Sequence, residues 1–267
     1  MPATINGIGT HYYGKGDIEH FEGVCDQCNK PTTLSNYETK LWFVVIFIPI
    51  IPLGRKMILS DCSSCGRHYT MPLHEWENIK QNEIEGSANE FSKDQNNPET
   101  ALNMFGTLLS FNKKTEAEKM AGILASKFAD NLDVQMTLGA WHEQNGRNEE
   151  GDRCFIKAFK LDPENPGPRR AVGICMIEQG RMEKAAKLFS PLLPPSEYYD
   201  PVLFYMLGKG YQAEDDHEQA MEQFELIAEE SPELLSEKNF RKSVKQTEQA
   251  LGRTESILPK KWFGLFG

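Results

Sequence analysis

From Leu132 onward the chain repeats itself, and that period constrains its folding more than any single motif does. Units beginning at Leu132, Pro166 and Pro201 recur at about 34 residues. Position 7 of each unit is Leu138, Val172 or Leu207, and position 8 is Gly139, Gly173 or Gly208. Position 20 holds Gly151, Ala185 and Ala220, and position 24 holds Phe155, Phe189 and Phe224. Pro163 and Pro232 close the first and third units, with Pro194 and Pro195 slightly early in the second. A fixed period of this kind marks a stacked array, in which each unit buries its apolar face only against its neighbours.

The pattern resembles the tetratricopeptide repeat (TPR). The resemblance implies two helices per unit, with small residues at positions 8 and 20 where those helices approach. It also implies an aromatic at position 24 wedged against the next unit and a proline that ends the second helix. Residues 201–234 lie nearest the consensus, with Tyr211 and Ile227 at positions 11 and 27. Residues 98–131 fit less well. Met104, Leu108, Ala117 and Leu124 are in place, but Phe105 takes the glycine position and Ala121 the aromatic one. End units of such arrays are atypical. Residues 236–251 then set Phe240, Val244, Thr247 and Leu251 on one helical face, with Gly252 suited to the helix end, as a solvating cap requires.

Ahead of the repeats, four of the six cysteines form two matched pairs, Cys25-Asp-Gln-Cys28 and Cys62-Ser-Ser-Cys65. Two C-x-x-C turns supply the four thiolates that one structural Zn²⁺ prefers. Four sulfurs leave no open coordination position, so the ion would not activate water. A redox pair would need a βαβ setting that is missing here. Cys154 and Cys175 fall in the repeats and read as buried packing thiols. His68, three residues after Cys65, reads as a surface strand residue.

The 33-residue spacer between the pairs is long for such a site and must carry structure of its own. Strands are predicted over 32–38 and over 42–48, with Pro49 and Pro52 breaking the run. A turn at 53–55 would return the chain into a strand at 57–59, followed by a strand at 67–71 and a short helix at 74–84. Gly7-Ile8-Gly9-Thr10, Tyr12-Tyr13-Gly14-Lys15, the first cysteine pair and Phe47-Ile48-Pro49-Ile50-Ile51-Pro52-Leu53 together resemble a small bacterial zinc-ribbon family. That resemblance covers about residues 5–80. It implies a ribbon fold and a bound metal, and no activity. Residues 9–16 nearly spell a phosphate-binding loop. Gly16 replaces the Mg²⁺-binding hydroxyl, however, and no apolar strand precedes it, so a glycine-rich surface hairpin is expected.

The expected architecture is therefore α+β in two domains, a small β-rich zinc ribbon followed by an all-α TPR solenoid. Residues 1–85 form the ribbon, 86–97 a linker, 98–251 the repeats with their capping helix, and 252–267 a basic-aromatic tail. Net charge is −10, from 29 basic against 39 acidic residues, which makes a nucleic-acid partner unlikely. Six cysteines are too few for a secreted disulfide scaffold, and neither a signal peptide nor an 18-residue apolar run is found, so a cytoplasmic setting is expected.

No nucleophile and base stand at a recognisable spacing, and no enzyme is expected. The function expected is that of a non-catalytic zinc-binding adaptor that takes a protein or peptide in its groove. Candidate groove residues, from helix position, are Gln135, His142, Arg169, Arg170, Tyr205, Lys209 and Gln212. Trp262, Phe263 and Phe266 in the tail would dock on the acidic repeat 201–234, on a partner or on a membrane. The alternatives are a membrane-peripheral scaffold that docks through the apolar hairpin at 42–53 and the tail, and a nucleic-acid-associated factor.

Overall fold

The computed structural model describes residues 2–259, so the tail candidates Trp262, Phe263 and Phe266 lie outside the described residues. The chain divides into two compact units, Met1–Met120 and Ala121–Gly267. The first opens with β1 (Thr4–Ile5), β2 (Ile8–Val24), β3 (Pro31–Val45), β4 (Ile48–Cys62) and β5 (Tyr69–Pro72). These form one five-stranded antiparallel sheet in sequence order. Helix α1 (Leu73–Lys93) follows, then α2 (Pro98–Ser110) and α3 (Lys114–Lys127), the last crossing into the second unit. The second unit continues with α4 (Leu132–Gln144), α5 (Asn148–Leu161), α6 (Pro166–Glu178), α7 (Met182–Phe189), α8 (Pro201–Ala213), α9 (His217–Glu230) and α10 (Lys238–Ala250). No helix among the described residues is long and apolar enough to cross a membrane.

The amino-terminal sheet corrects the expected fold class. The fold is α+β, but its β part is a meander whose three long strands have 17, 15 and 15 residues, in place of a small ribbon. The stretches 32–38 and 42–48, read as two strands, fall mostly on one strand, β3, which ends at Val45. Residues 9–16, read as a surface hairpin, belong to β2, whose polar residues hid it. Pro49 and Pro52 do not end a strand, because β5 pairs only with Lys56–Leu59 and, among the described residues, β4 has no outer neighbour where the prolines sit. The β3–β4 turn is Ile46-Phe47, with φ of 51° and 61°, and the predicted turn at 53–55 is strand.

The predicted helix at 74–84 is twice as long as expected. It runs through Lys93, so most of the segment 86–97 is helix where a linker was expected. The polar and turn-forming residues there were a weak prior, and tertiary context overrode it. Within this unit the Trp76 and Phe111 rings meet at 5.7 Å, bringing α1 against the end of α2.

In the repeats, the fold makes the period visible at positions the sequence reading passed over. Asn97, Asn131, Asn165 and Asp200 precede α2, α4, α6 and α8, and each side chain accepts a backbone N–H from the first turn. Between the two helices of each unit, Asn112, Gly146, Gly180 and Asp215 all take positive φ, 53° to 71°. Both sets recur with the repeat, the first unit included.

Packing inside each unit depends on glycine against phenylalanine. A Cβ on Gly139 would stand 2.5 Å from the Phe155 ring, one on Gly173 2.1 Å from Phe189, and one on Gly208 2.7 Å from Phe224. The ring at position 24 thus lies over the glycine of its own unit, where the resemblance implied a wedge against the next one. Phe189 and Phe224 are fully buried. At the carboxyl end α10 buries Phe240, Val244 and Thr247, with Phe240 edge-on to Phe224 at 5.8 Å.

Gly173→Ala should therefore cost about 1–3 kcal/mol through overpacking. Gly106, in α2, has nothing within 4 Å of an added Cβ. Gly106→Ala should stabilise by about 0.5–1 kcal/mol through helix propensity alone. Urea denaturation of the two variants measures both signs.

Candidate functional site

A meander sets its alternate turns at the same end of the sheet. The β2–β3 turn carries Cys25 and Cys28, and the β4–β5 turn carries Cys62 and Cys65, so the topology brings the two pairs together. All four Sγ atoms lie within 4.8 Å of one another. Cys25 Sγ stands 3.8 Å from Cys65 Sγ, and Cys28 Sγ stands 3.8 Å from Cys62 Sγ. No disulfide joins them. A tetrahedron of sulfurs around Zn²⁺, with Zn–S of about 2.3 Å, has edges of about 3.8 Å. The donor set fits that ion in both kind and spacing.

The two turns are built alike. Asn29 N–H donates to the Cys25 carbonyl at 2.7 Å, and Gly66 N–H to the Cys62 carbonyl at 2.8 Å. Asn29 and Gly66 both take positive φ, 54° and 68°. Cys25 N–H bonds the Lys30 carbonyl, and Cys62 N–H the Arg67 carbonyl, each at 3.1 Å. Gln27 N–H points at Cys25 Sγ and Cys65 N–H at Cys62 Sγ, both at 3.4 Å, so the backbone already aims donors at the sulfurs that would carry negative charge. Thr32 Oγ1 links the turns through Ser63 Oγ at 2.6 Å and Ser64 Oγ at 2.9 Å.

The thiols of Cys28, Cys62 and Cys65 are each shifted by their neighbours. Burial opposes ionisation of Cys62, but the N–H groups of Cys65 and Ser64 and the thiols of Cys25 and Cys65 outweigh it, bringing its pKa to about 6. Cys28 rises to about 11, first from burial and then from its three neighbouring thiols, against the N–H of Lys30. Cys65 also rises: the N–H of Arg67 pulls it down, and burial with Cys62 and Cys25 pushes harder the other way. The Cys62 thiolate is favoured while those of Cys28 and Cys65 are resisted, which is a charge distribution that a bound cation would relieve. His68 stands outside the cluster, in the loop before β5, with Nδ1 3.6 Å from Asp61.

The groove candidates differ in burial and in bonding. Gln135 is buried, and its amide donates to the Ala129 carbonyl at 3.0 Å. Arg169 bonds the Pro163 carbonyl, and Arg170 the Tyr198 carbonyl. Tyr205 Oη meets Ser243 Oγ at 3.1 Å, and the Gln212 amide reaches the Ser243 carbonyl at 3.1 Å and Thr247 Oγ1 at 2.9 Å. Both therefore fasten α10 to α8. His142 is half-buried beside Trp141, the ring centroids 4.9 Å apart. Lys209 is exposed and lines an open cavity of about 390 Å³ with Gln212, Ala213, His217 and Gln246.

Two clusters went unnoticed in the sequence. Glu143, Asp152 and Cys175 bring their ligand atoms within 4.8 Å of one another. Burial, then the Asp152 carboxylate, pushes the Cys175 thiol far up. The second cluster lines a cavity of about 370 Å³ on the sheet, where Lys15, Lys40 and Arg55 meet Glu38. These residues are far apart in sequence, and only the strand register joins them.

No family model matches the chain, and neither does any curated protein. Among solved structures, the TPR protein YrrB, described as having an unusual peptide-binding site, superimposes with a TM-score of 0.53 at 15% identity, over 66% of this chain and 88% of that one. The carboxyl-terminal part of a TPR repeat-containing protein from Cytophaga hutchinsonii gives 0.46 at 15% identity, over 66% and 78%. MamA gives 0.47 at 14% identity, over 61% and 89%. The likeness to YrrB shows the fold: the helical part is TPR-like.

Proposed function

We propose that the chain is a non-catalytic interaction scaffold. One structural Zn²⁺ held by Cys25, Cys28, Cys62 and Cys65 fixes the end of the sheet, and the helical array takes a protein or peptide partner. The observation that carries the metal reading is the 3.8 Å spacing of the paired sulfurs, which equals the edge of a zinc–sulfur tetrahedron. Four sulfur ligands close the coordination sphere and leave no position for a substrate. The partner reading rests on the TPR-like fold, since stacked helix pairs present extended surfaces that bind other chains. Lys209 and the cavity it lines are an accessible part of the candidate groove, and the half-buried His142, on α4, is a second candidate.

Thiolate ligands must lose protons to bind, so acid releases the metal. Chelation below pH 5 should free one equivalent of zinc. It should also raise amide exchange at residues 24–35 and 57–70, leaving protection in α5–α9 unchanged. Retained protection in the sheet after metal loss would contradict the structural role.

Peptides selected from a display library on the full chain should bind Lys209→Glu at least roughly tenfold more weakly, a loss of about 1.4 kcal/mol. Gln212→Ala should instead lower stability by about 1 kcal/mol through its bonds to α10. Equal peptide binding by Lys209→Glu would move the partner site elsewhere.

A further inference from the structure

The end of the sheet opposite the cysteines is apolar and exposed. Ile46 is 72% exposed, Phe47 59%, Ile48 60% and Ile50 54%, while Ile5 and Ile8 stand exposed on the adjoining β1–β2 turn. The two turns touch, since Phe47 N–H donates to the Gly7 carbonyl at 3.1 Å. Tyr13 Oη also donates to the Phe47 carbonyl. From Leu41 to Gly54 the hairpin contains no charged residue.

Moving away from the tip, residue chemistry changes in a fixed order. First come the apolar residues. Next come His11 opposite Trp42 and Tyr12 opposite Leu41. Then come Tyr13 opposite Lys40 and Lys40 opposite Arg55. There the charged cavity is lined by three cations, Lys15, Lys40 and Arg55, and by Glu38, which pairs with Arg55, while Lys15 also reaches Asp61 at 3.6 Å. Apolar tip, aromatic belt and cationic collar follow the order of acyl chains, interface and headgroup phosphates in a bilayer.

The turn itself breaks a local rule. A two-residue hairpin with both residues in the left-handed region takes Asn-Gly without strain, and here it is built from Ile and Phe. A strained, exposed, apolar turn is explained by what it does outside the fold. A second copy of the chain adding to β4 is disfavoured, because Pro49 and Pro52 lack N–H donors along that edge. Open strand edges do not enter the hydrocarbon, so insertion stops at the tip.

We propose that the β3–β4 hairpin docks the protein on an anionic phospholipid bilayer, with Ile46, Phe47, Ile48 and Ile50 entering the acyl boundary and Lys15, Lys40 and Arg55 meeting lipid phosphates. The test is co-sedimentation of the full chain with vesicles of equal parts phosphatidylcholine and phosphatidylglycerol, alongside vesicles of phosphatidylcholine alone. The intact chain binds the anionic vesicles more tightly. Ile46→Asn with Phe47→Gly weakens that binding roughly tenfold or more, while raising the melting temperature by about a few degrees as the turn strain is relieved. Lys40→Glu weakens binding to the anionic vesicles alone. The proposal is overturned if the intact chain stays in the supernatant, or if the turn variant sediments as well as the original. It is equally overturned if the exposed tip holds a concentration-dependent dimer that the turn variant abolishes.

Discussion

The convergence of four thiols at one end of the meander is the constraint on which the amino-terminal unit depends. The sheet is long and thinly buried. Among its large side chains Leu34, Tyr37, Val44, Met57 and Ile58 are the buried ones, all on β3 and β4. At the cysteine end the apolar cluster is Cys25, Leu34 and Cys62, with Cys28 packed against it. That is far too little apolar area to close two turns by burial alone. A zinc ion bound there would contribute folding free energy on the order of 10 kcal/mol or more, which exceeds anything this small cluster can supply. The equivalent hydrogen bonding of the two turns, down to the positive φ four residues after each first cysteine, serves to hold the sulfurs at tetrahedral spacing.

The helical array solves its packing differently, by repetition. Each unit sets a capping Asn or Asp before its first helix and a left-handed residue between its helices. In the units that begin at 132, 166 and 201 the inter-helix gap is closed by a phenylalanine ring lying on a glycine. The last unit would leave its apolar face to water. Helix α10 covers it with Phe240, Val244 and Thr247, and Gln212 and Tyr205 fasten it in place. Glu248 then ties down the segment after α10 by accepting from Ser256 Oγ and Ile257 N–H, each at 2.8 Å.

What the sequence disclosed follows from how local the signal is. The recurring glycine and phenylalanine positions and the cysteine spacing are repeated patterns of single residue types, and both were legible, whereas the seat of each ring on the glycine of its own unit was not. The 33-residue spacer, long for a metal site and expected to carry structure of its own, is one hairpin, β3 and β4 joined by two residues. Alternate turns of a meander meet whatever the strand length. Strand β2 was missed because it carries His, Lys, Asp and Glu along a mostly exposed face. The prolines misled because their cost depends on whether an outer strand exists, which sequence does not state. Tyr205 and Gln212 were assigned to a groove from helix position, and only the placement of α10 reveals what they face. Lys15, Lys40 and Arg55 assemble through register alone.

X-ray absorption at the zinc edge, on protein purified without chelator or added metal, tests the central claim most directly. The account predicts about one equivalent of zinc with a single shell of four sulfurs near 2.3 Å. A shell containing nitrogen or oxygen, or zinc well below half an equivalent, would contradict it.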